Sequence, residues 1–553
     1  MQFRHSHHDH RQPPDRKTDV RGSAWEALSN LTKSQQLIYL GLSLNPETPL
    51  YNMIHASTIR GVLDEDAFAL AFQSLVDASD AMRTTFKLID GVPQQQVQAH
   101  MPSGLRIVDL SLESTPEIAC RKWIEEHKRQ LLDPEQRLFA SALIKVAKNQ
   151  HVWYFCQHHL ISDAQSFALA YRYRSHRYSL ATEGRIDEAH PLENFSDYVV
   201  FERAFRDSPA WAKAREFWRS RVDKSATVSR IYGQATRSGG SRTDRLTLDL
   251  GIARTSAIRE IATSKDFASL TPAMTMASLW TLLVVVALHR ITGERTLTLG
   301  TPFQARPNST FKATIGTFVE IGLVNAKVAR DATFQSLYRQ ILRQTIEGLQ
   351  HVHPGISSAA TNRAYNVLLN YITAEFGDFG GFKSTTDWVH SGYGDSNHAI
   401  RIQVSDYDRT GSLLLHFDVH ANVFDSQSRR WLIRQFEAVV DAFIDDPGRQ
   451  VGSFDLMSRD ERRRWLVAYN ETDENLGDAE TILTLFEEQV RRVPEAMAAA
   501  EVSRTWSYAE LDRRSRAVAS RLTDLGVGRG NRVAVCMPRS LEVLAALLGA
   551  LRA

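Results

Sequence analysis

Short apolar runs typical of β-strands alternate with helix-period segments along most of this chain, and this alternation restricts the fold more than any other feature. The strand-like runs include LFASALIKVA, HVWYFC, NVLLNYI and SLLLHFDVHA, and the helical segments include EDAFALAFQSLVDAS and TPAMTMASLWTLLVVVALHRI. Such alternation predicts layered α/β domains. Because 553 residues are too many for one ordinary core, we expect several domains or lobes.

Composition excludes several classes of protein. The 66 Lys and Arg residues nearly balance the 64 Asp and Glu residues, which argues against a large nucleic-acid or anionic-membrane surface. Cys120, Cys156 and Cys536 are far apart, so neither a disulfide framework nor a thiolate zinc site is expected. The polar beginning contains no apolar signal segment, and no apolar run reaches the ~20 residues that cross a bilayer. We therefore expect a cytoplasmic protein with no nucleic-acid partner and no membrane span.

Turn-rich and charged stretches divide the sequence into parts. The first residues are polar and rich in histidine, and we expect a flexible arm there because nothing in the sequence fixes the rings as metal ligands. The last helical segment, SLEVLAALLGALRA, is apolar and unterminated, so the final unit is expected to be truncated. The expected parts are a flexible arm at 1–25, a first lobe at 26–205, a second lobe at 206–447, a linker at 448–480 and an α/β fragment at 481–553.

The segment HVWYFCQHHLISDAQS is the strongest candidate for chemistry. Its apolar strand ends in His158 and His159, and Asp163 follows four residues later. A neutral imidazole at a strand end that faces a cleft suits a general base. The structural alternative is a packed core histidine, with Asp163 as the cap of the following helix. The segment has no nearby third zinc ligand, and the chain has no G-x-S-x-G element, so neither a zinc enzyme nor a serine hydrolase is expected.

HHLISDA resembles the HHxxxDG signature of nonribosomal peptide synthetase condensation domains, which are relatives of chloramphenicol acetyltransferase. Other segments are similar to further motifs of that family in the same order. They are LTKSQQLIYL (31–40), AMRTTF (81–86), NFSDYVVF (194–201), TPFQARPN (301–308), IGTFVEI (315–321) and VLLNY (367–371). The tail, with RTWSYAEL, resembles the beginning of an adenylation domain, so the resemblance extends over residues 28–553.

The resemblance implies a fold and a reaction. Two chloramphenicol-acetyltransferase-like α/β lobes should form a V-shaped pseudo-dimer, followed by a truncated α/β adenylation fragment. A tunnel between the lobes should admit phosphopantetheine arms from opposite faces. The implied reaction is attack by the amine of a carrier-bound aminoacyl thioester on a donor thioester, for which positioning is the main catalytic task. The implied substrates are acyl-CoA and the phosphopantetheine arm of a downstream carrier, with no covalently bound cofactor.

The family pattern also implies roles for individual residues. His159 would orient the acceptor amine and accept its proton, or stabilise the tetrahedral intermediate, and His158 would support the loop. Asp163 would have a structural role in a buried pair with Arg83 of AMRTTF. No metal ligand is implied. The candidate substrate-binding residues are Ala164, Ser166, Glu320 and Asn370.

Two of these residues depart from the family pattern. Ala164 replaces the Gly after the motif Asp, where a methyl group would narrow the tunnel or disfavour a positive φ. Glu320 replaces the Asn of F-V-N, which would alter the contribution of the second lobe to the cleft. Neither change removes a catalytic group.

The subtype of condensation domain is inferred from two motifs that the sequence does not contain and from the sequence before the first lobe. The D-x-x-x-x-D motif of heterocyclising domains and the E-G-H-G-R-E motif of epimerisation domains are absent from the sequence. No carrier domain precedes the first lobe, and the arm has no amphipathic docking helix, which favours a starter domain that N-acylates the first amino acid with a fatty acyl group from acyl-CoA or an acyl carrier. The alternatives are a peptide-bond-forming domain supplied by an upstream synthetase and a noncatalytic scaffold. Expected partners are downstream adenylation and peptidyl carrier domains, and we expect a monomer.

Overall fold

The computed structural model describes residues 28–188, 190–222, 228–233, 240–407, 411–474 and 481–553. The expected arm at 1–25 lies outside these residues. The chain divides into two compact units, with the boundary between Met457 and Ser458. The first unit contains two α/β lobes, each built on its own sheet, which confirms the predicted fold class.

The first lobe combines a sheet with helices and a separate hairpin. The hairpin turn has positive φ at Asp90 (52°) and Gly91 (75°), as a tight two-residue turn requires. The elements are α1 (Lys33–Leu44), β1 (Asn52–Arg60), α2 (Glu65–Ala78), the hairpin strands β2 (Thr84–Ile89) and β3 (Val92–Val97), β4 (Arg106–Asp109), α3 (Pro116–His127), β5 (Phe139–Ala147), β6 (Gln150–His158), α4 (Ala164–Thr182) and α5 (Phe195–Phe205).

The second lobe contains a six-stranded sheet and the longest helix described. Its elements are α6 (Pro209–Arg221), β7 (Thr243–Asp249), α7 (Gly251–Thr263), α8 (Pro272–Thr292), β8 (Thr296–Gln304), α9 (Ser309–Lys312), β9 (Val319–Lys327), α10 (Phe334–Gln350), α11 (Ala359–Arg363), β10 (Val367–Ala374), β11 (Lys383–Val389), β12 (Ile400–Tyr407), β13 (Leu414–His420) and α12 (Ser426–Asp445). The sheet order is β7-β13-β12-β10-β8-β9, with β10 parallel to β8 and β12. The helix α8 is long and apolar enough to span a membrane, but most of it is buried in this lobe, as expected for a core helix.

One strand from the sequence of the second lobe completes the sheet of the first. β11 pairs antiparallel with β1, placing Val389 opposite Ile54, and the sheet order is β11-β1-β6-β5-β4. Phe376 and Phe379, which precede β11, also belong to the first core. This corrects the expectation that 206–447 forms the second lobe alone. The exchange gives β1 a partner on its second edge, which would otherwise expose unpaired backbone groups.

β6 determines where the candidate site lies. It is a central strand between β1 and β5, and eight of its nine residues are buried. The chain leaves the sheet at His158, and α4 begins at Ala164 after a short loop. The loop is therefore anchored at one end by the sheet and at the other by a helix.

The second unit contains the predicted helices but not the predicted strand at RVAVCM. In the described residues, 532–537 pair with no strand, although their composition is strand-like. The expected linker at 448–480 is also shorter than predicted, because Val451 and Phe454 pack in the core of the second lobe. The elements are α13 (Arg459–Leu466), α14 (Ile482–Arg492), β14 (Met497–Glu501), β15 (Arg504–Ser507), α15 (Tyr508–Asp524) and α16 (Leu541–Arg552).

Candidate active site

His159 lines a cavity between the two lobes, directly after β6. Its backbone N–H donates to the carbonyl oxygen of Tyr51 (2.9 Å), and its Nδ1 lies 3.1 Å from the carbonyl oxygen of Ser162. Because a carbonyl oxygen can only accept, Nδ1 must carry the proton in this hydrogen bond. The neutral ring therefore keeps its lone pair on Nε2, the atom that a general base needs.

One hydroxyl group of the second lobe contacts two backbone carbonyls of the His159 loop. The Oγ1 of Thr317 is within hydrogen-bonding distance of the carbonyl oxygens of His159 and, at 3.2 Å, of Ser162. A hydroxyl has one proton and both partners are acceptors, so the two carbonyls share a single donor. Thr317 also lines the cavity beside His159.

His158 supports the loop and does not line the cavity. Its buried ring accepts a hydrogen bond at Nδ1 from the N–H of Leu160 (3.1 Å) and lies edge-to-face against Tyr51 at 5.9 Å. Burial, reinforced by His159, lowers the pKa of His158 to about 3. A neutral ring with an engaged Nδ1 fits the predicted supporting role.

The electrostatic surroundings keep the His159 ring neutral. Burial is the main cause that lowers the pKa of this ring to about 4, and the positive charge of Arg401 also lowers it. The carboxylate of Asp163 acts in the opposite direction and raises the pKa. The hydrogen bond to Ser162 also raises the pKa. At neutral pH, His159 is therefore ready to accept a proton, but only from a group that is itself acidic.

Asp163 pairs with Arg306, and the predicted pair with Arg83 is not formed. Two hydrogen bonds of 2.9 and 3.0 Å join Nη2 of Arg306 to the two carboxylate oxygens, and both side chains are buried. Arg83 instead donates to the carbonyl oxygen of Gln98 (2.5 Å). The expected pair does not form because the guanidinium of Arg83 binds the backbone just after β3. Asp163 instead binds Arg306 of TPFQARPN, which comes from the other lobe.

The remaining partners of this pair complete a network between the lobes. Asp163 also accepts from the N–H of Ser166 (2.8 Å), capping α4, and from the N–H of Phe318 (3.1 Å). Arg306 donates through Nη1 to the carbonyl oxygens of Phe311 (2.7 Å) and Thr314 (2.6 Å). Asp163 is thus the helix cap that the structural alternative described, and it also binds Arg306.

Ala164 and Ser166 lie near the site but do not line the cavity. Ala164 begins α4 without a positive φ, so the methyl group causes no backbone strain. Ser166 is buried: its Oγ lies 2.6 Å from the carbonyl oxygen of Gly316, and it is 2.8 Å from Nη2 of Arg306. Both positions predicted to bind substrate therefore belong to the supporting structure.

Glu320 and Asn370 also lie outside the cavity lining. Glu320 is buried, and its two oxygens accept from the N–H groups of Gly355 (2.7 Å) and Ser357 (2.8 Å). Burial raises the pKa of Glu320. Its carboxyl group thus fixes the segment that brings Ser357 to the cavity. On β10, Leu368 lines the cavity and Asn370, two residues further along, does not.

The cavity is lined by both apolar and polar side chains and has a volume of about 180 Å³. The aliphatic lining residues are Leu37, Ile38, Leu50, Val319, Ile321 and Leu368. The charged and ring-bearing lining residues are Tyr51, His159, Tyr365, Asp395, His398 and Arg401. Sequence reasoning did not identify Asp395, His398 and Arg401. A three-residue spacing of ionisable groups in DSNHAIR was the available signal, but nothing in it indicated a cavity.

A second cavity of about 550 Å³ adjoins the first through Leu37 and Ser357. Its lining includes the basic residues Lys33, Arg206, Arg215 and Arg219. Within the described ranges, no cluster of three or more His, Cys, Asp or Glu side chains is arranged to hold a metal ion.

This architecture belongs to a known family. The Condensation domain family model matches residues 26–466, and an AMP-binding enzyme model matches residues 486–553, so the chain belongs to the condensation domain family and continues into an adenylation fragment. Condensation domains of nonribosomal peptide synthetases form amide bonds. The match begins before α1 and ends within α13, and it includes both lobes.

Three comparisons illustrate the similarity. Malpinin synthetase of Mortierella alpina is 24% identical over 542 residues, covering 95% of this chain and 7% of that protein. Isonitrile lipopeptide synthase of Streptomyces coeruleorubidus is 24% identical over 536 residues, covering 94% of this chain and 35% of that protein. The starter condensation domain of rhizomide synthetase RzmA, solved with C8-CoA, has a TM-score of 0.69 and 22% identity, covering 77% of this chain and 97% of that one. The chain thus spans a small part of malpinin synthetase and about a third of isonitrile lipopeptide synthase.

Proposed function

We propose that this chain acts as a starter condensation domain, joining a fatty acyl group from acyl-CoA to the amine of a carrier-bound amino acid. The observation that carries the proposal is His159, whose neutral ring lines the cavity between the lobes with Nε2 available. Family membership supports amide formation, and the site supports His159 as the group that receives the proton.

Several observations support a fatty acyl-CoA as the donor. C8-CoA is bound in the rhizomide starter domain complex, and an isonitrile lipopeptide synthase is among the relatives. In this chain, six aliphatic side chains are among the residues that line the cavity with His159, which suits an acyl chain. A downstream peptidyl carrier domain is the proposed partner for the acceptor, and a complete adenylation domain would load it.

A direct assay tests the proposal. The full chain is incubated with aminoacyl N-acetylcysteamine thioesters as acceptors and with acetyl-, octanoyl- and palmitoyl-CoA as donors, and the amide product is identified by mass spectrometry. We expect N-acylated product from the longer donors, falling at least ~100-fold in His159→Ala. His289→Ala is the matched control, because the Nδ1 of His289 also contacts a backbone carbonyl oxygen, that of Glu294 (2.7 Å), away from the cavity.

Two outcomes would contradict the proposal in different ways. Undiminished product in His159→Ala would overturn the catalytic assignment and favour the noncatalytic scaffold. Product only from a peptidyl thioester on an upstream carrier domain would overturn the starter assignment and identify an ordinary peptide-bond-forming domain.

A further inference from the structure

A polar wall lies on the second-lobe side of the His159 cavity. It consists of Asp395, His398 and Arg401, which occur three residues apart where the chain enters β12, and all three line the cavity. His398 stacks on Tyr365 with the ring centroids 5.1 Å apart. Burial lowers the pKa of His398, and Asp395 and Arg401 act on it in opposite directions. The wall therefore contributes a negative group, a positive group and a neutral ring to the cavity.

Arg401 carries a positive charge that its partner only partly compensates. Its Nε (3.1 Å) and Nη2 (2.8 Å) donate to one carboxylate oxygen of Asp418. Arg245 donates to the same carboxylate through Nε (2.7 Å) and Nη2 (3.0 Å). Two guanidinium groups thus share one buried carboxylate. The Nη1 of Arg401 makes no hydrogen bond within the described part of the chain, so it can serve a ligand in the cavity.

Asp395 is held in place without using its full hydrogen-bonding capacity. Its Oδ1 accepts from the backbone N–H (2.9 Å) and the side-chain amide (3.0 Å) of Asn397, which closes a local turn. Its Oδ2 has no hydrogen-bond partner among the described residues. No ion pair joins Asp395 to Arg401 there either. Asp395 and Arg401 are therefore each held by other residues and not by one another. A ligand that carries one positive and one negative charge would complement this pair of side chains.

We infer that the polar wall binds the zwitterionic tetrahedral intermediate of thioester aminolysis, with Arg401 facing its oxyanion and Asp395 facing its ammonium nitrogen. This inference rests on the proposed function. The nitrogen lone pair forms the C–N bond, and the π pair of the carbonyl moves onto oxygen, which leaves one positive and one negative charge on the intermediate. Charges that develop only during reaction are what preorganised groups stabilise most effectively.

Stabilisation of the intermediate by the wall also makes the weak basicity of His159 sufficient for proton transfer. A ring with a pKa of about 4 is a poor base for an alkylammonium ion, but the nitrogen of the intermediate is more acidic once the C–N bond exists. Nε2 of His159 then takes that proton. The oxyanion re-forms the carbonyl, the C–S bond breaks, and the departing thiolate takes the proton from the imidazolium. The products are an amide and a thiol, and His159 is neutral again.

Steady-state kinetics with octanoyl-CoA and an aminoacyl N-acetylcysteamine thioester provide the first test. We expect Arg401→Gln to lower kcat ~100-fold or more with little change in KM, since the contact forms only with the developing charge. Asp395→Asn should have a smaller effect of the same kind, because an amide oxygen can still accept from Asn397. The matched control is Arg259→Gln, which disturbs a similar pair with Asp406 (2.9 Å) outside the cavity.

Binding of a probe gives a readout that does not depend on turnover. The probe is an octyl phosphonate monoester with an ammonium group beside its tetrahedral oxyanion, compared by calorimetry with a neutral phosphonate diester of the same shape. We expect the wild type and Arg259→Gln to bind the zwitterion at least ~10-fold more tightly, and Arg401→Gln to lose that preference.

The results separate the inference from the proposed function. Equal affinity of the wild type for both probes would overturn the inference, whatever donor is used. A KM effect without a kcat effect in Arg401→Gln would overturn it too, because Arg401 would then act on the ground state. A clear preference for the zwitterion with no product from any acyl-CoA would support the wall and contradict the proposed donor.

Discussion

Asp163 of the first lobe and Arg306 of the second are joined by hydrogen bonds of 2.9 and 3.0 Å, with both side chains buried. The same carboxylate caps α4 and accepts from the N–H of Phe318. The ring of Phe318 lies under the guanidinium, 3.8 Å from its centre. The aspartate of the HHxxxD segment is therefore a structural connection between the lobes, and it lies at the end of the loop that begins with His159.

Removing Arg306 should destabilise the fold severely. Arg306→Met leaves the Asp163 carboxylate buried without its counterion, and we expect the free energy of unfolding of the first unit to fall by about 3–5 kcal/mol. Urea denaturation followed by tryptophan fluorescence measures the change. Arg83→Met is the control, since Arg83 contacts backbone carbonyls at a partly exposed position, and it should lower stability by about 1 kcal/mol. If both variants lose the same free energy of unfolding, the Asp163–Arg306 pair stabilises the fold no more than the hydrogen bonds of Arg83 do.

The hydroxyl group of Thr317 should matter more for rate than for stability. Thr317→Val keeps the shape of the side chain but removes the donor shared by the carbonyls of His159 and Ser162. Losing one such hydrogen bond corresponds to about 1–1.5 kcal/mol, so we expect roughly a tenfold lower kcat in the acyl-CoA assay.

Thr281→Val provides the comparison for Thr317. The hydroxyl of Thr281 donates to the carbonyl oxygen of Ala277 (2.8 Å) inside α8, away from the cavity, so its loss should leave kcat unchanged. A Thr317→Val enzyme as active as Thr281→Val would mean that the hydroxyl does not position His159.

Stability should decrease as the pH falls below about 6.5. Burial lowers the pKa of His55 and of His158 to about 3, below the ordinary value of 6.5. Between pH 6.5 and about pH 3, these two rings bind a proton in the unfolded chain but not in the folded chain. Lowering the pH in this range therefore favours unfolding. Each such ring should contribute about 1.4 kcal/mol per pH unit in this window, and the contribution of the neutral buried state is fully present above pH 6.5.

A single substitution can isolate one of these rings. His55 is buried and stacks on Phe167 with the centroids 3.5 Å apart, so His55→Leu removes a titrating group while keeping an apolar contact. We expect the slope of unfolding free energy between pH 5 and 6 to decrease by about one proton equivalent. Ile54→Leu, a buried substitution in the same strand that removes no titrating group, should leave the slope unchanged. An unchanged slope in His55→Leu would contradict the assignment.

The sequence predicted local features well because local features have local causes. The strand that ends at His158 and the helix cap at Asp163, which was the structural alternative for that residue, depend on neighbouring residues, and the structure contains both. The partner of Asp163 could not be found in the same way, since Arg306 lies 143 residues away and several arginines were possible. The addition of β11 to the first sheet had no clear signal either, because KSTTDWV lacks a strong apolar alternation.

Of the candidate catalytic and substrate-binding residues, only His159 lines the cavity between the lobes. The strand-end position drew attention to both histidines, and the resemblance to the HHxxxDG signature selected His159. Ser166 and Glu320 were expected to contact substrate, yet their hydrogen bonds are directed into the protein. The direction of a side chain between two lobes depends on how the lobes pack, and a pattern of residues within one segment does not specify it. Asp395 and Arg401 were missed for the same reason.

Gly300 is required for the position of Tyr365 in the cavity wall. A Cβ atom at residue 300 in β8 would lie 2.4 Å from the Tyr365 ring, which is buried and stacks on His398. Gly300→Ala must therefore displace the ring, and we expect a stability loss of about 1–3 kcal/mol and a lower kcat. Replacing Tyr365 with Leu in the same chain should relieve the clash, so the two stability losses should not add.

Gly452→Ala is the matched control for this prediction, because a Cβ at residue 452 has no atom within 4 Å. Thermal denaturation and the acyl-CoA assay, measured on all four variants, separate the clash from the general effect of adding a methyl group. If Gly300→Ala behaves like Gly452→Ala, β8 must be able to shift away from Tyr365. The cavity wall would then be more adaptable than the close contact between Gly300 and the ring indicates.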